Sequence, residues 1–230
     1  MNSLNNNASP GVLPAVHSAG SSALLVDVAD GPFNLEQQRK LWALAAHLDA
    51  EPDSLVTEVV VGGNNLLVLF DPLRHHPQQV QEQVLQRWLT LGAGSAPGKD
   101  IDIPVLYGGP GALDLKWLAD SAGLDIEEWV QRHSRVTYQV ACIGSMPGFA
   151  YLVGLPAELA QPRRSNPRPS IAKGSVIIGG AQAGVMPCTA PSGWHAVGIT
   201  DIELFDAWRE QPCLLVPGDR VRFVATGIQA

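Results

Sequence analysis

Three arginines fall within six residues, Arg163, Arg164 and Arg168, in the run PRRSNPRP. Pro162, Pro167 and Pro169 stiffen that run, and a stiff loop loses little entropy when it grips a ligand. Guanidinium forks hold carboxylate or phosphate through paired hydrogen bonds, so the run reads as an anion or acidic-partner contact. The other reading is a solvated loop with ordinary surface ion pairs. Lys173, in AKGS, is either a charge-stabilising group for the same anion or an exposed turn lysine. His195 follows Trp194 in PSGWH, where an imidazole is a candidate general acid or base or a strand histidine with a satisfied hydrogen bond. Gln182, in GGAQAG, offers an amide to orient a substrate or to stabilise its own turn. Met146, Phe149, Tyr151 and Trp194 would line an apolar pocket or fill core.

Other chemistries find little support. No GxxxxGK[ST] run occurs, so no Walker-type ATP loop is expected. Ser145 and Ser192 lack a GxSxG setting, and Cys188 has no partner spacing for a thiol nucleophile. His75–His76 precede a helix start, and no HxH or HExxH occurs, so no metal is expected.

The net charge of −7 argues against a nucleic-acid partner, because phosphate neutralisation needs a basic face. Three cysteines without CxxC spacing suit a reducing, cytoplasmic setting better than a disulfide framework. No apolar run approaches 18 residues, so no membrane span is expected, and the N-terminus has no signal-peptide pattern. Residues 1–20 are expected to be a flexible tail.

The elements that must position these groups follow from periodicity. Ala23–Val28 is a short β-rich run. Asn34 with Gln37 resembles a capping box, and Leu41, Leu44, Ala45 and Leu48 then recur at helical spacing. Leu55–Val61 and Leu66–Phe70 flank Gly62, Gly63, Asn64 and Asn65, which is hairpin chemistry. Pro77 opens a second helix with Val80, Val84, Leu85, Trp88 and Leu89 on one face. Ile101–Tyr107 is a further strand, with Pro104 hinting at a sheet edge. The order β-α-β-β-α-β predicts a ferredoxin-like α+β domain over 21–105. Two short helices follow, one over Leu115–Ala122 ending at Gly123, one starting at Asp125. VTYQVACI, SVIIGG, WHAVGIT, CLLV and RVRFVAT then read as short strands, predicting a closed β-barrel over 106–230 led by those helices.

SMPGFAYLVGLP, PRRSNPRPSIAKGSVIIGGAQAGVMP, PSGWHAVGIT and LLVPGDRVRF together resemble the B-subunit family of bacterial 5-oxoprolinase. That family is also called allophanate hydrolase subunit 1, and it includes the sporulation-kinase inhibitor KipI. The resemblance covers about residues 19–226. It implies a ferredoxin-like domain followed by a cyclophilin-like barrel. It implies the A and C subunits of that enzyme as partners, the latter allophanate hydrolase subunit 2-like. It also implies an ATP-dependent opening of 5-oxoproline, a small cyclic amide, to glutamate. ATP would be bound on or shared with a partner subunit. Residues placed at the shared cleft are Met146, Pro147, Gly148, Phe149, Tyr151, Arg163, Arg164, Lys173, Gln182, Pro191, Gly193 and Trp194. Of these Arg164 and Lys173, with His195, are assigned to catalysis. Two alternatives stay open: a regulator of a sensor histidine kinase, and a urea or allophanate pathway subunit. The chain departs from the family pattern at Ser145, Ala150, Ser192, His195 and the Gly62–Asn65 turn.

Overall fold

The computed structural model describes residues 13–29, 31–51, 55–92 and 98–229. Its backbone divides into two compact units, Met1–Ala96 and Pro97–Ala230.

The first unit runs β1 (Ala15–Ser18), β2 (Ala23–Asp27), α1 (Leu35–Ala50), β3 (Val56–Val61), β4 (Asn65–Phe70) and α2 (Pro77–Thr90). Its antiparallel sheet has the order β1-β2-β4-β3. Alternation puts Leu24, Val26, Leu66, Val68 and Phe70 on the face that packs against Leu41, Leu44, Leu48, Val80, Val84 and Trp88. Asn34 caps α1, its side chain accepting from the Gln37 amide. The capping box expected there is instead complete at α2, between His76 and Gln79, with Pro77 in the first turn. The Gly62–Asn65 turn is tied to the start of α1. Asn64 is buried in left-handed backbone, its amide donates to Gln38 Oε1 at 2.6 Å, and its Nδ2 donates to the Asn34 carbonyl at 2.7 Å.

Two expectations change here. Residues 15–18 are no tail, because Ala15 to Ser18 pair antiparallel with Asp27 to Leu24; residues 1–12 lie outside the described residues. The fourth strand of the first sheet is therefore β1. The run expected to supply it, within β5 (Asp100–Gly108), belongs to the second unit. A β-α-β-β-α-β ferredoxin-like sheet ending in Ile101–Tyr107 is not what forms. Ile103, Val105 and Tyr107, each with no exposure, face the barrel core instead.

The second unit continues with α3 (Leu115–Ala122), α4 (Ile126–Arg135), β6 (Tyr138–Ile143), β7 (Ala150–Val153), β8 (Arg168–Ile171), β9 (Ser175–Gly179), β10 (Gln182–Val185), β11 (Ala190–Ser192), β12 (His195–Ile199) and β13 (Arg220–Gln229). Seven strands close a barrel in the order β10-β7-β6-β13-β5-β12-β9, sealed by the β9–β10 pairing. The architecture is α+β, with four α-helices among the described residues. Pro104 pairs with Val224 of β13 on one side, while β12 pairs with β5 only at Leu106 and Tyr107, so Pro104 has one strand neighbour among the described residues, within a closed barrel. The parallel pairing of β5 with β13 is flanked by Arg220–Asp100 and Arg222–Asp102 side-chain forks. CLLV makes only an isolated bridge, Cys213 to Phe205, although Leu215 is buried.

Helix α4 seals the barrel with Trp129 and His133. His133 Nδ1 sits 2.8 Å from the Tyr107 hydroxyl, and the Tyr138 hydroxyl donates to the His133 carbonyl at 2.9 Å. Trp129 and Phe223 stack on the imidazole. Burial pushes its pKa down to about 3, so it is neutral in the folded chain. Outside the barrel, β8 and β11 form a two-stranded ribbon. The chain between β7 and β8 carries the arginine run.

Candidate functional site

The site is built around a residue the sequence did not single out. Asp114 stands at the start of α3, yet its carboxylate does not cap that helix. Its backbone bonds β12 through the Ala196 carbonyl, and its Oδ2 accepts from the Ala196 amide at 2.8 Å. The same carboxylate takes both arms of Arg168, at 2.6 and 2.9 Å, and Nη1 of Arg164 at 3.2 Å. The Asp114 side chain is only 5% exposed. Burial acts to raise its pKa, but the Arg168 hydrogen bonds, the Ala196 amide and the nearby charges prevail and hold it below the ordinary carboxylate value. Asp114 thus fixes the arginine run against β12.

The backbone of the run is held independently. Arg164 donates its amide to the Gly193 carbonyl at 2.7 Å, Gln161 bridges to Gly180, and Arg168 pairs with Ser192 across the ribbon. Two hollows open on either side of Arg163 and Arg164. The larger, about 530 Å³, is walled by Asp114, Trp117, Pro162 and His195. The smaller, about 270 Å³, is walled by Met146, Phe149, Tyr151, Pro191 and Trp194.

The smaller hollow contains the aromatic group read from the sequence. Phe149, Tyr151 and Trp194 meet edge to face, with ring centroids 4.9 to 6.0 Å apart. Phe149, Met186 and Trp194 are buried in a cluster of their own, with Ile171, Ile177 and Ala196. The glycines of GGAQAG make room for these rings. A Cβ on Gly179 would lie 2.6 Å from the Trp194 ring, and one on Gly184 2.9 Å from Phe149. The guanidinium of Arg163 lies 5.5 Å from the centroid of the Trp194 ring, within cation–π range. Cys188 is exposed, 3.6 Å from the Met146 sulfur.

His195 belongs to the larger hollow. It is buried, and its Nε2 is 2.9 Å from the Pro162 carbonyl, so that nitrogen carries the proton. Trp117 stacks on the ring at 5.0 Å and 24°. Nδ1 has no hydrogen-bond partner and lies 3.9 Å from Asp114 Oδ1.

Gathering Arg164, Lys173 and Gln182 about one concavity is the expectation that fails. Lys173 lines neither hollow, and its Nζ is paired with Glu203 at 2.7 and 2.9 Å. Gln182 opens β10, opposite Gly179 and Val153, and also lines neither. Pro147 and Gly148 lie in the turn between β6 and β7, and Gly193 lines the smaller hollow. Asp114 and Trp117 are the site residues that sequence reasoning missed. An aspartate before a helix reads as a cap, and an apolar residue on α3 reads as core, although Trp117 is 51% exposed. Among the described residues no group of histidine, cysteine and acidic side chains could hold a metal. No described helix is long and apolar enough to cross a membrane.

Comparison with known proteins agrees with this architecture. Residues 14–215 match the family model "Carboxyltransferase domain, subdomain C and D". A Haemophilus influenzae protein named as the B subunit of 5-oxoprolinase is 43% identical over 198 residues, covering 86% of this chain and 92% of that protein. A Bacillus subtilis protein of the same name is 33% identical over 220 residues, covering 91% of each. The crystal structure of TTHA0988 superposes with a TM-score of 0.75 at 32% identity over 88% of this chain, which spans only 39% of that longer one. The chain therefore belongs to the carboxyltransferase subdomain C and D family, in the branch whose members are named as 5-oxoprolinase B subunits.

Proposed function

We propose that this chain is the B subunit of a 5-oxoprolinase, acting in the cytoplasm with A and C partner subunits to convert 5-oxoproline to glutamate with ATP. The observation that carries the reading is similarity, at 33 to 43% identity over 86 to 91% of this chain, to proteins of that name. The arginine-edged hollows add to it. A lactam is stabilised by resonance, so water attacks it slowly unless the carbonyl is activated. Transfer of the ATP γ-phosphoryl group to the lactam oxygen would release ADP and leave an electrophilic carbon. Water would add there, the ring C–N bond would break with a proton passing to nitrogen, and a second water would cleave the resulting γ-glutamyl phosphate into glutamate and phosphate. Fixed guanidiniums stabilise the negative charge that such steps develop, the role we give to Arg163 and Arg164. His195 is the candidate proton carrier. ATP binds on, or is shared with, a partner subunit.

The test is reconstitution with the A and C homologues of the same organism, following glutamate and ADP. Both products are expected in equal amounts, and only when all three subunits are present. Full glutamate production by the A and C pair without this chain would overturn the proposal.

A further inference from the structure

We infer that the outer edge of β3 is a self-pairing surface, through which two copies of this chain join their first units into one continuous sheet. The inference does not depend on the proposed function, and no residue lining either hollow takes part in it.

The chemistry of the edge comes first. β3 stands last in the order β1-β2-β4-β3 and pairs only with β4 among the described strands. A sheet edge is a row of unpaired backbone groups, and proteins that must stay apart guard it with lysine, proline or a bulge along its length. The strand reads VTEVVV, with no lysine and no proline, and its one charge is Glu58. Its bulge lies at the start, between Val56 and Glu58, so residues 58–61 keep regular pairing. Thr57, Glu58 and Val60 are exposed.

The backbone decides which groups are offered. The β3–β4 hairpin closes with the Gly62 amide donating to the Asn65 carbonyl at 2.9 Å. Bonded pairs then recur at every second residue, so Val60 bonds Leu67 and faces β4. Val59 and Val61 therefore turn their N–H and C=O groups outward, to the side where no described strand lies.

One antiparallel register suits two such edges. With Val60 opposite the second copy's Val60, Val59 meets the second copy's Val61 and Val61 meets its Val59. Both are pairs of outward-facing residues, and each exchanges its N–H···O bonds in both directions. Glu58 then falls opposite the second copy's Gly62, so no like charges oppose each other. Centring the pair on Val59 would set Val61 against the bulge at Thr57, and centring it on Val61 would set Val59 against the turn at Gly63.

The side chains agree with that register. Val60 is 43% exposed and stands on the face away from the helices, opposite to the one that carries Leu66 and Val68. Its row continues across the sheet through Leu67 and Leu25 to His17. At the axis the two Val60 side chains would form a non-hydrogen-bonded pair, the closer kind, and cover each other. The apolar row would then run unbroken from one copy to the other. A contact one strand wide is smaller than a standard interface, so the dissociation constant should be on the order of 10–100 μM.

Analytical ultracentrifugation of the full chain, from about 1 to 500 μM to bracket that value, should show a monomer–dimer equilibrium. Val60→Lys places two ammonium groups on the axis; it should keep the native circular dichroism spectrum and weaken the dimer about tenfold or more. A second pair of variants reads the register directly and decides the matter should the lysine variant fail to fold. In a chain carrying Cys188→Ser and Cys213→Ser, Val60→Cys should oxidise to a covalent dimer, whereas Glu58→Cys, facing a glycine, should not. Hydrogen exchange at the Val59 and Val61 amides should slow as the protein concentration rises. A monomer throughout the range, a dimer unchanged by Val60→Lys, or equal cross-linking from positions 58 and 60 would each overturn the inference. So would a chain that stays monomeric alone but whose Val59 and Val61 amides become protected on adding an A or C subunit homologue, because the edge would then belong to another protein's strand.

Discussion

Asp114 links α3, the arginine run and β12 through one nearly buried carboxylate. Removing one partner of a buried ion pair leaves uncompensated charge, a loss of about 3 kcal/mol or more. Asp114→Ala should therefore lower the unfolding free energy by that order, read as a fall in the denaturant midpoint, and release Arg168. The same carboxylate has a lowered folded pKa. Its stabilisation is present above the ordinary value of 3.8 and is lost as pH falls through the folded value. His133 acts over a higher range. Its folded pKa is lowered from 6.5 to about 3, so between those values the unfolded chain binds the extra proton. Stability should then fall by about 1.4 kcal/mol for each pH unit of acidification across that window. Denaturation curves at pH 6, 5 and 4.5 should approach this slope, with little change above pH 7, and His133→Gln should flatten it. The arginines and the aromatic group of the site were legible because they cluster within one stretch of Gly and Pro. Asp114 was not, since its partners lie 50, 54 and 82 residues away.

At the scale of elements, local signals served well where local chemistry decides. The Asn34 cap, the Pro77 start and the Gly62–Asn65 turn all follow from side chains that satisfy nearby backbone groups. The sheet to which β5 belongs does not follow from such signals. Alternation in IDIPVLY states that one face is buried but does not name the neighbours. The β9–β10 hairpin shows the complementary case, where a sequence feature has a steric purpose visible only in three dimensions. Gly179 leaves space for the Trp194 ring. Gly179→Ala should cost about 1–3 kcal/mol through overpacking, and should alter the near-ultraviolet signal of Trp194. A variant with unchanged stability and spectrum would show that the ring can move aside.

For the whole molecule, the two units make a sharp prediction about where the chain can be divided. A fragment starting at residue 98 keeps β5 and the Lys99 backbone that bonds Asp219 and Arg220. It should unfold cooperatively in denaturant. A fragment starting at residue 106, the boundary expected from sequence, removes most of β5 and with it Ile103 and Val105 from the core. That fragment should show no cooperative transition.

The parallel pairing of β5 with β13 joins positions 120 residues apart, Asp100 with Arg220. During translation the first barrel strand leaves the ribosome long before its parallel partner exists. At about 5–20 residues per second that wait is on the order of ten seconds. Throughout it, Ile103, Val105 and Tyr107 have no finished interior to enter. The nascent chain is thus a natural client for chaperones, and slow codons between β5 and β13 would lengthen its exposure.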